Sequence, residues 1–171
     1  VIDAASGTNL AGPFGLFSPY RLLTADARCS TAAYRWSAPN VLDWQATVQP
    51  EQDLPRFELF LASYFDGFPA SFVYVRENPD AGGKPGFLEA VKSAGDWLAF
   101  PRDDAAAGLI ADGRWKRPPN PVDWKIMPRL AAPLALRRDA KRGLAAVLMA
   151  PASDCFAIST PFGEEGHRSV Y

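Results

Sequence analysis

Val41-Leu42-Asp43-Trp44-Gln45-Ala46-Thr47-Val48-Gln49 alternates apolar and polar side chains without a break. Leu42, Trp44, Ala46 and Val48 fall on one side of an extended chain, and Asp43, Gln45, Thr47 and Gln49 on the other. Period two over this length is the pattern of a half-buried strand in an antiparallel sheet. Downstream, Pro50 to Pro55 reads as a turn, because two prolines that cannot donate to a ladder bracket a polar stretch. Arg56 to Phe65 is apolar on both faces after Glu58, as a strand covered on both sides would be. Asp66-Gly67-Phe68-Pro69 is a turn by its Asp-Gly pair, and Ala70 to Arg76 forms another strand.

The middle of the chain breaks this pattern. Asn78 to Gly86 is rich in Gly and Pro and reads as a loop, after which Phe87, Val91, Ala94 and Leu98 recur at helical spacing. The spacing predicts one amphipathic helix over Pro85 to Trp97, lying against a sheet. A second, short helix is predicted from Asp103, a good N-cap, through Ala111, with Gly113 just past its end. Short apolar runs then return at Val122–Met127, Leu130–Leu136, Leu144–Met149, Cys155–Thr160 and His167–Tyr171, separated by turns at 138–143, 151–154 and 161–166. Loops this short join antiparallel strands, since a parallel return needs a crossover of about a dozen residues or more. The fold expected is mainly β: an antiparallel β-sandwich, residues 1–171 as a single domain, with the amphipathic helix and the second short helix inserted in its middle. Val1 and the apolar run still in progress at Tyr171 suggest that both ends are cut.

Composition narrows the partners. The 171 residues carry 18 Lys+Arg against 19 Asp+Glu, a net charge of −1, so no broad positive field exists for nucleic acid or anionic lipid. No apolar run approaches the roughly 18 residues of a membrane helix. The expected partners are therefore neither nucleic acid nor membrane, but a saccharide ligand, a protein partner or a second copy of the chain. Compartment is not marked. Two cysteines, Cys29 and Cys155, exclude a disulfide-rich scaffold and a four-thiolate zinc site, and are expected to be separate buried thiols with one bridge left open. His167 is the sole histidine, so no metal site is expected. No phosphate-cradling or dinucleotide motif is present, and no cofactor is expected.

The last two apolar runs read as a closing hairpin around Pro161–Glu165. In that register Cys155, Ser159, His167, Ser169 and Tyr171 share one face, and Phe156, Ile158 and Val170 share the other with Arg168. The second face is the expected core. The first, holding the lone His167 with Glu164 and Glu165 on the adjoining loop, is the candidate ligand-facing concavity. His167 and Glu165 are the candidate acid–base pair, because both side chains take pKa values tuned by burial. The alternative is a face that is simply wet, with His167 on the surface, and a slip of one residue would instead turn His167 inward. Cys155 and His167 stand about 13 Å apart along the strand, too far for a thiolate pair. No Gly-x-Ser-x-Gly elbow marks a nucleophilic serine.

A second constellation is Ala111-Asp112-Gly113-Arg114-Trp115-Lys116. Asp112, Arg114 and Trp115 combine a carboxylate, a planar cation and an aromatic plate, the set with which proteins hold a pyranose: stacking on one face, hydrogen bonds to the hydroxyls. The competing reading is a structural turn, with Trp115 plugging the end of the sandwich. Tyr64, near Asp66 and Phe68, repeats the aromatic–acid theme at another strand end. The adjacent carboxylate pairs Asp103–Asp104 and Glu164–Glu165 do not match the separated pair of a glycosidase.

The alternating run Leu42–Val48, its polar turn and the apolar stretch Phe57–Phe65 resemble strand pairs in carbohydrate-processing β-sandwiches of the galactose mutarotase-like group. The likeness covers about a quarter of the chain, and any sandwich alternates in this way. Members of that group are generally longer and place a histidine and a glutamate against the sugar. The resemblance therefore implies His167 as the histidine and Glu164 or Glu165 as the acid, although their closeness in sequence departs from the widely spaced pattern. The expected function is carbohydrate binding or, if catalytic, acid–base chemistry on a sugar; the alternative is a non-catalytic accessory or protein-interaction domain. The two differ in that catalysis needs Glu165 and His167 in a cleft, whereas an interaction module needs an apolar patch and an open edge strand.

Overall fold

A computed structural model describes residues 16–17, 27–50, 53, 63–65, 67–116, 121–161 and 169–170. The chain divides into two compact units, Val1–Phe60 and Leu61–Tyr171.

The first unit holds β1 (Leu16–Phe17), β2 (Ala27–Ala38) and β3 (Val41–Pro50). β2 and β3 form an antiparallel hairpin across Pro39-Asn40, with Tyr34 opposite Trp44 and Arg35 opposite Asp43. The alternation read in β3 is the one observed: Leu42, Trp44, Ala46 and Val48 are half-buried while Val41, Asp43, Gln45 and Thr47 are exposed. Tyr34 stacks on Trp44 with centroids 6.2 Å apart, a cross-strand aromatic pair that helps hold the register. β2 has no counterpart in the sequence reading, because its Ala, Ser and Thr residues blur the apolar contrast on which period-two detection depends.

The second unit is mainly β as well. Its strands are β4 (Ser63–Phe65), β5 (Ala70–Asn78), β6 (Lys84–Ala90), β7 (Trp97–Pro101), β8 (Lys125–Ile126), β9 (Leu130–Asp139), β10 (Leu144–Met149), β11 (Ala157–Pro161) and β12 (Ser169–Val170), and its helix is α1 (Asp104–Ala111). One sheet runs β10-β9-β5-β6 and a second β11-β7-β8; β4 pairs with β12. Their buried side chains share one apolar core, built from Val73 and Val75 of β5, Leu88 and Ala90 of β6, Leu98 and Phe100 of β7, Leu130 and Ala135 of β9, Ile158 and Val170. The buried Arg137 of β9 donates to the Ser71 hydroxyl and the Phe68 carbonyl, so a charged fork ties β9 to the start of β5.

Three expectations are corrected. The amphipathic helix over Pro85–Trp97 is absent: the segment is β6, a single 3-10 turn at Lys92–Ala94 and the start of β7. The helical spacing picked out Phe87 and Val91, which are 40% and 39% exposed, whereas the residues buried in β6 are Leu88 and Ala90, two apart. Pairing against β5 decides the matter, since it aligns Leu88 with Val73 and sets Phe87 on Tyr74 at 5.2 Å. The second helix does form, as α1, with the Asp103 side chain capping it and Gly113 beyond its end at φ 85°.

Second, not every pair is antiparallel. β8 runs parallel to β7, Leu98 opposite Lys125. α1 lies between them in sequence and supplies the long crossover that a parallel pair requires. Third, the last two strands do not pair as a closing hairpin: β11 pairs with β7, Ala157 opposite Pro101, and β12 pairs with β4, Ser169 opposite Tyr64. Ile158 and Val170 are buried as expected, yet so are Ser159 and Thr160, because β11 is covered on both faces. The polar, ligand-facing side assigned to Ser159 is therefore interior. Cys155 is a free thiol packed against the core instead of standing on that face.

Candidate functional site

α1 begins where the Asp103 carboxylate accepts the Ala106 N–H at 2.8 Å. That hydrogen bond, and the one Arg102 donates at 2.9 Å, hold the Asp103 carboxyl below its ordinary range. The helix ends at Asp112, and Gly113 takes the left-handed conformation that turns the chain into a 3-10 segment at Arg114–Lys116. Here the structure gathers the predicted trio. Asp112 Oδ1 accepts the Arg114 backbone N–H at 2.9 Å, while Asp112 Oδ2 accepts Arg114 Nε at 2.9 Å and Nη2 at 2.7 Å. Trp115 is half-buried, and its carbonyl accepts the Val122 N–H at 2.7 Å. The carboxylate and guanidinium lock each other in a bidentate fork, so the turn sets Trp115 beside a neutralised ion pair, not an open charge.

The other predicted residues are not brought to that turn. Tyr64 lies in β4 opposite Ser169. His167, Glu164, Glu165 and Asp66, and with them the candidate acid–base pair, lie outside the described residues.

Two of the hollows formed by described residues of the second unit are lined by neither Asp112, Arg114 nor Trp115. One, of about 480 Å³, sits between Gly67, Pro69 and the Asp139–Arg142 turn. The other, of about 450 Å³, lies at the start of α1, with Arg76, Glu77, Asp103, Asp104 and Arg129 around it. Arg129 donates to Asp104 and Arg102 pairs with Asp103, so both carboxylates at the helix start already hold a guanidinium.

The edge of the β10-β9-β5-β6 sheet presents a different kind of surface. β10 is the end strand of its sheet; it pairs with β9 on one side, and no described strand pairs with the other. Its residues Leu144-Ala-Ala-Val-Leu-Met149 include no charge and no proline, the two devices that ordinarily protect an open edge. Val147 is 53% and Met149 72% exposed. Register carries this apolar character across the sheet's outer face: Val147 stands opposite Leu136, Leu136 opposite Phe72, and Met149 opposite Leu134. Leu134, Leu136, Phe72 and Tyr74 are all half-buried. Arg138 lies on the same face with its guanidinium 5.2 Å from the Phe72 ring centre. An antiparallel sheet with one face on its core normally turns polar side chains outward, so these apolar side chains, with only Arg138 and Glu89 as charges among them, make the face and its adjoining edge a candidate contact surface. The signal available in the sequence was the absence of any polar residue from Leu144 to Met149.

Compared with protein-family models, curated proteins and solved structures, the chain finds no match in any of them. The likeness to the galactose mutarotase-like group rests on sequence pattern alone.

Proposed function

We propose that the chain is a non-catalytic interaction domain that takes up an extended partner segment at β10, with the outer face of the sheet as the adjoining contact. The observation that carries this reading is the charge-free edge strand with Val147 and Met149 in solvent. Strand addition draws affinity from main-chain hydrogen bonds and selectivity from alternate side chains, and an open apolar edge supplies both. A fluorescent, end-capped peptide of residues 143–150 is the probe, read by anisotropy against the whole chain. Saturable binding below ~100 μM, lost in Val147→Lys, supports the reading; no binding by the wild-type chain at that concentration sinks it.

A saccharide ligand is the second reading, favoured by Asp112, Arg114 and Trp115 sharing one turn, with Glu165 and His167 as the acid–base pair if the domain is catalytic. A monosaccharide and glycan screen on the wild type and Trp115→Ala decides it. Binding that disappears with the indole supports a stacking site, and an empty screen for the wild type removes it.

A further inference from the structure

We infer that the strand β10 receives is β10 of a second copy of the same chain, paired antiparallel about Val147; this rests on the open-edge reading and names its partner. Backbone direction comes first. Ala150 N–H donates to Pro133 O at 3.2 Å, so the Ala150 backbone points toward β9. Because successive residues of a strand turn their N–H and C=O groups to opposite sides, Leu144, Ala146 and Leu148 also point toward β9, and Ala145, Val147 and Met149 point away. Those outward groups are the ones a new strand must satisfy.

Side-chain size then selects the register. A twofold axis normal to the sheet at Val147 sets Val147 opposite its own copy, Ala145 opposite Met149, Ala146 opposite Leu148 and Leu144 opposite Ala150. Every pair off the axis matches a small side chain with a large one, on both faces of the sheet, and every outward N–H and C=O of Ala145, Val147 and Met149 gains a partner. Centring the axis on Ala146 would instead oppose Leu144 to Leu148 and leave Met149 facing Gly143. Centring it on Leu148 would set Ala146 against Ala150 and Val147 against Met149. Neither alternates in size as the Val147 register does.

Charge agrees with size. The strand is preceded by Lys141-Arg142 and followed by Ser153-Asp154, all four exposed. Continued past the strand ends, the Val147 register carries the basic turn of one copy to the acidic turn of the other at both ends of the contact. Parallel pairing would lay like on like. The axis also leaves the two outer faces on the same side, so the half-buried Phe72, Leu134 and Leu136 of both copies join into one apolar surface.

A contact made mainly by one strand lies at the small end of the interface range, so association in the micromolar range is expected, about 1–100 μM. Sedimentation velocity of the whole chain from ~5 to ~200 μM reads it directly. Val147→Pro removes an outward donor without touching the ladder to β9, and Val147→Lys sets two like charges face to face on the axis. Each is expected to weaken the dimer at least tenfold while circular dichroism and the melting curve stay native. If either variant misfolds, the charge pair decides: Asp154→Lys weakens association, Lys141→Glu with Arg142→Glu weakens it, and the three together restore it. A wild-type chain monomeric over the whole range overturns the inference. If the 143–150 peptide still binds in that case, the edge stands as a site for another partner; if it does not, the edge reading falls too. A dimer indifferent to folded Val147 variants, or to the charge reversals, places the interface elsewhere and equally overturns the inference.

Discussion

Asp103 does its work through two oxygens: Oδ1 caps α1 at the Ala106 N–H and Oδ2 takes the Arg102 Nε. A helix of eight residues is marginal alone, so its first turn depends on that cap. With the folded pKa below the ordinary 3.8, the carboxylate contributes stability that is fully present above 3.8 and lost as pH falls through the lower, folded value. Asp103→Asn keeps a capping oxygen but cannot titrate. Melting curves taken from about pH 6 to about pH 2.5 are therefore expected to fall more steeply for the wild type than for Asp103→Asn below about pH 4; parallel curves would mean that the charge of Asp103 adds nothing to the cap. Cys155 is the opposite case, since burial pushes its thiol above the usual range and the Arg102 charge offsets only part of that. In a Cys29→Ser background its alkylation at about pH 8 is expected to run well below the rate of a free-cysteine peptide, with a rate equal to the peptide's counting against a thiol packed on the core.

At the scale of elements, the contest over residues 84–97 is between two periods in one apolar segment. Phe87, Val91, Ala94 and Leu98 satisfy the helical spacing, but Leu88 and Ala90 satisfy the strand, and only the strand has β5 to pair with. Sequence periodicity cannot see the partner, and that is why the helix was expected and β6 formed. The same blindness explains the closing hairpin: Ile158 and Val170 could be assigned to the core from their pattern, but their pairing with β7 and β4 depends on strands far away in sequence. Elements whose signals are local fared differently. β3 follows from its own alternation, and α1 from the Asp103 cap and Gly113. Substitution tests the β6 assignment, because the two periods rank the same residues oppositely. Leu88→Ala, at 7% exposure, is expected to cost about 2–4 kcal/mol in denaturant unfolding, and Val91→Ala, at 39%, about 0.5 kcal/mol or less. The reverse order would restore the helix.

For the whole molecule, the candidate site was legible only where its parts are neighbours in sequence. Asp112, Arg114 and Trp115 are grouped because one turn contains them, whereas the β10 edge exists only because β9, β5 and β6 lie to one side of it and nothing described lies to the other. An edge is a property of strand order, and strand order is set by long-range pairing that no window of sequence contains. The same long-range pairing locates the core. Among the described residues, the apolar cluster runs from Val73 to Val170, within the unit Leu61–Tyr171, and spans both of that unit's larger sheets. Residues 61–171 thus hold a core of their own, and about 110 residues is enough chain for an independent domain. Expressed alone, that segment is expected to unfold in a single cooperative transition, and Phe100→Ala, at a fully buried position, to cost it about 3–5 kcal/mol, as in the whole chain. A segment that melts without cooperativity, or one in which Phe100→Ala is nearly neutral, would mean that the core draws on residues 1–60 for its integrity.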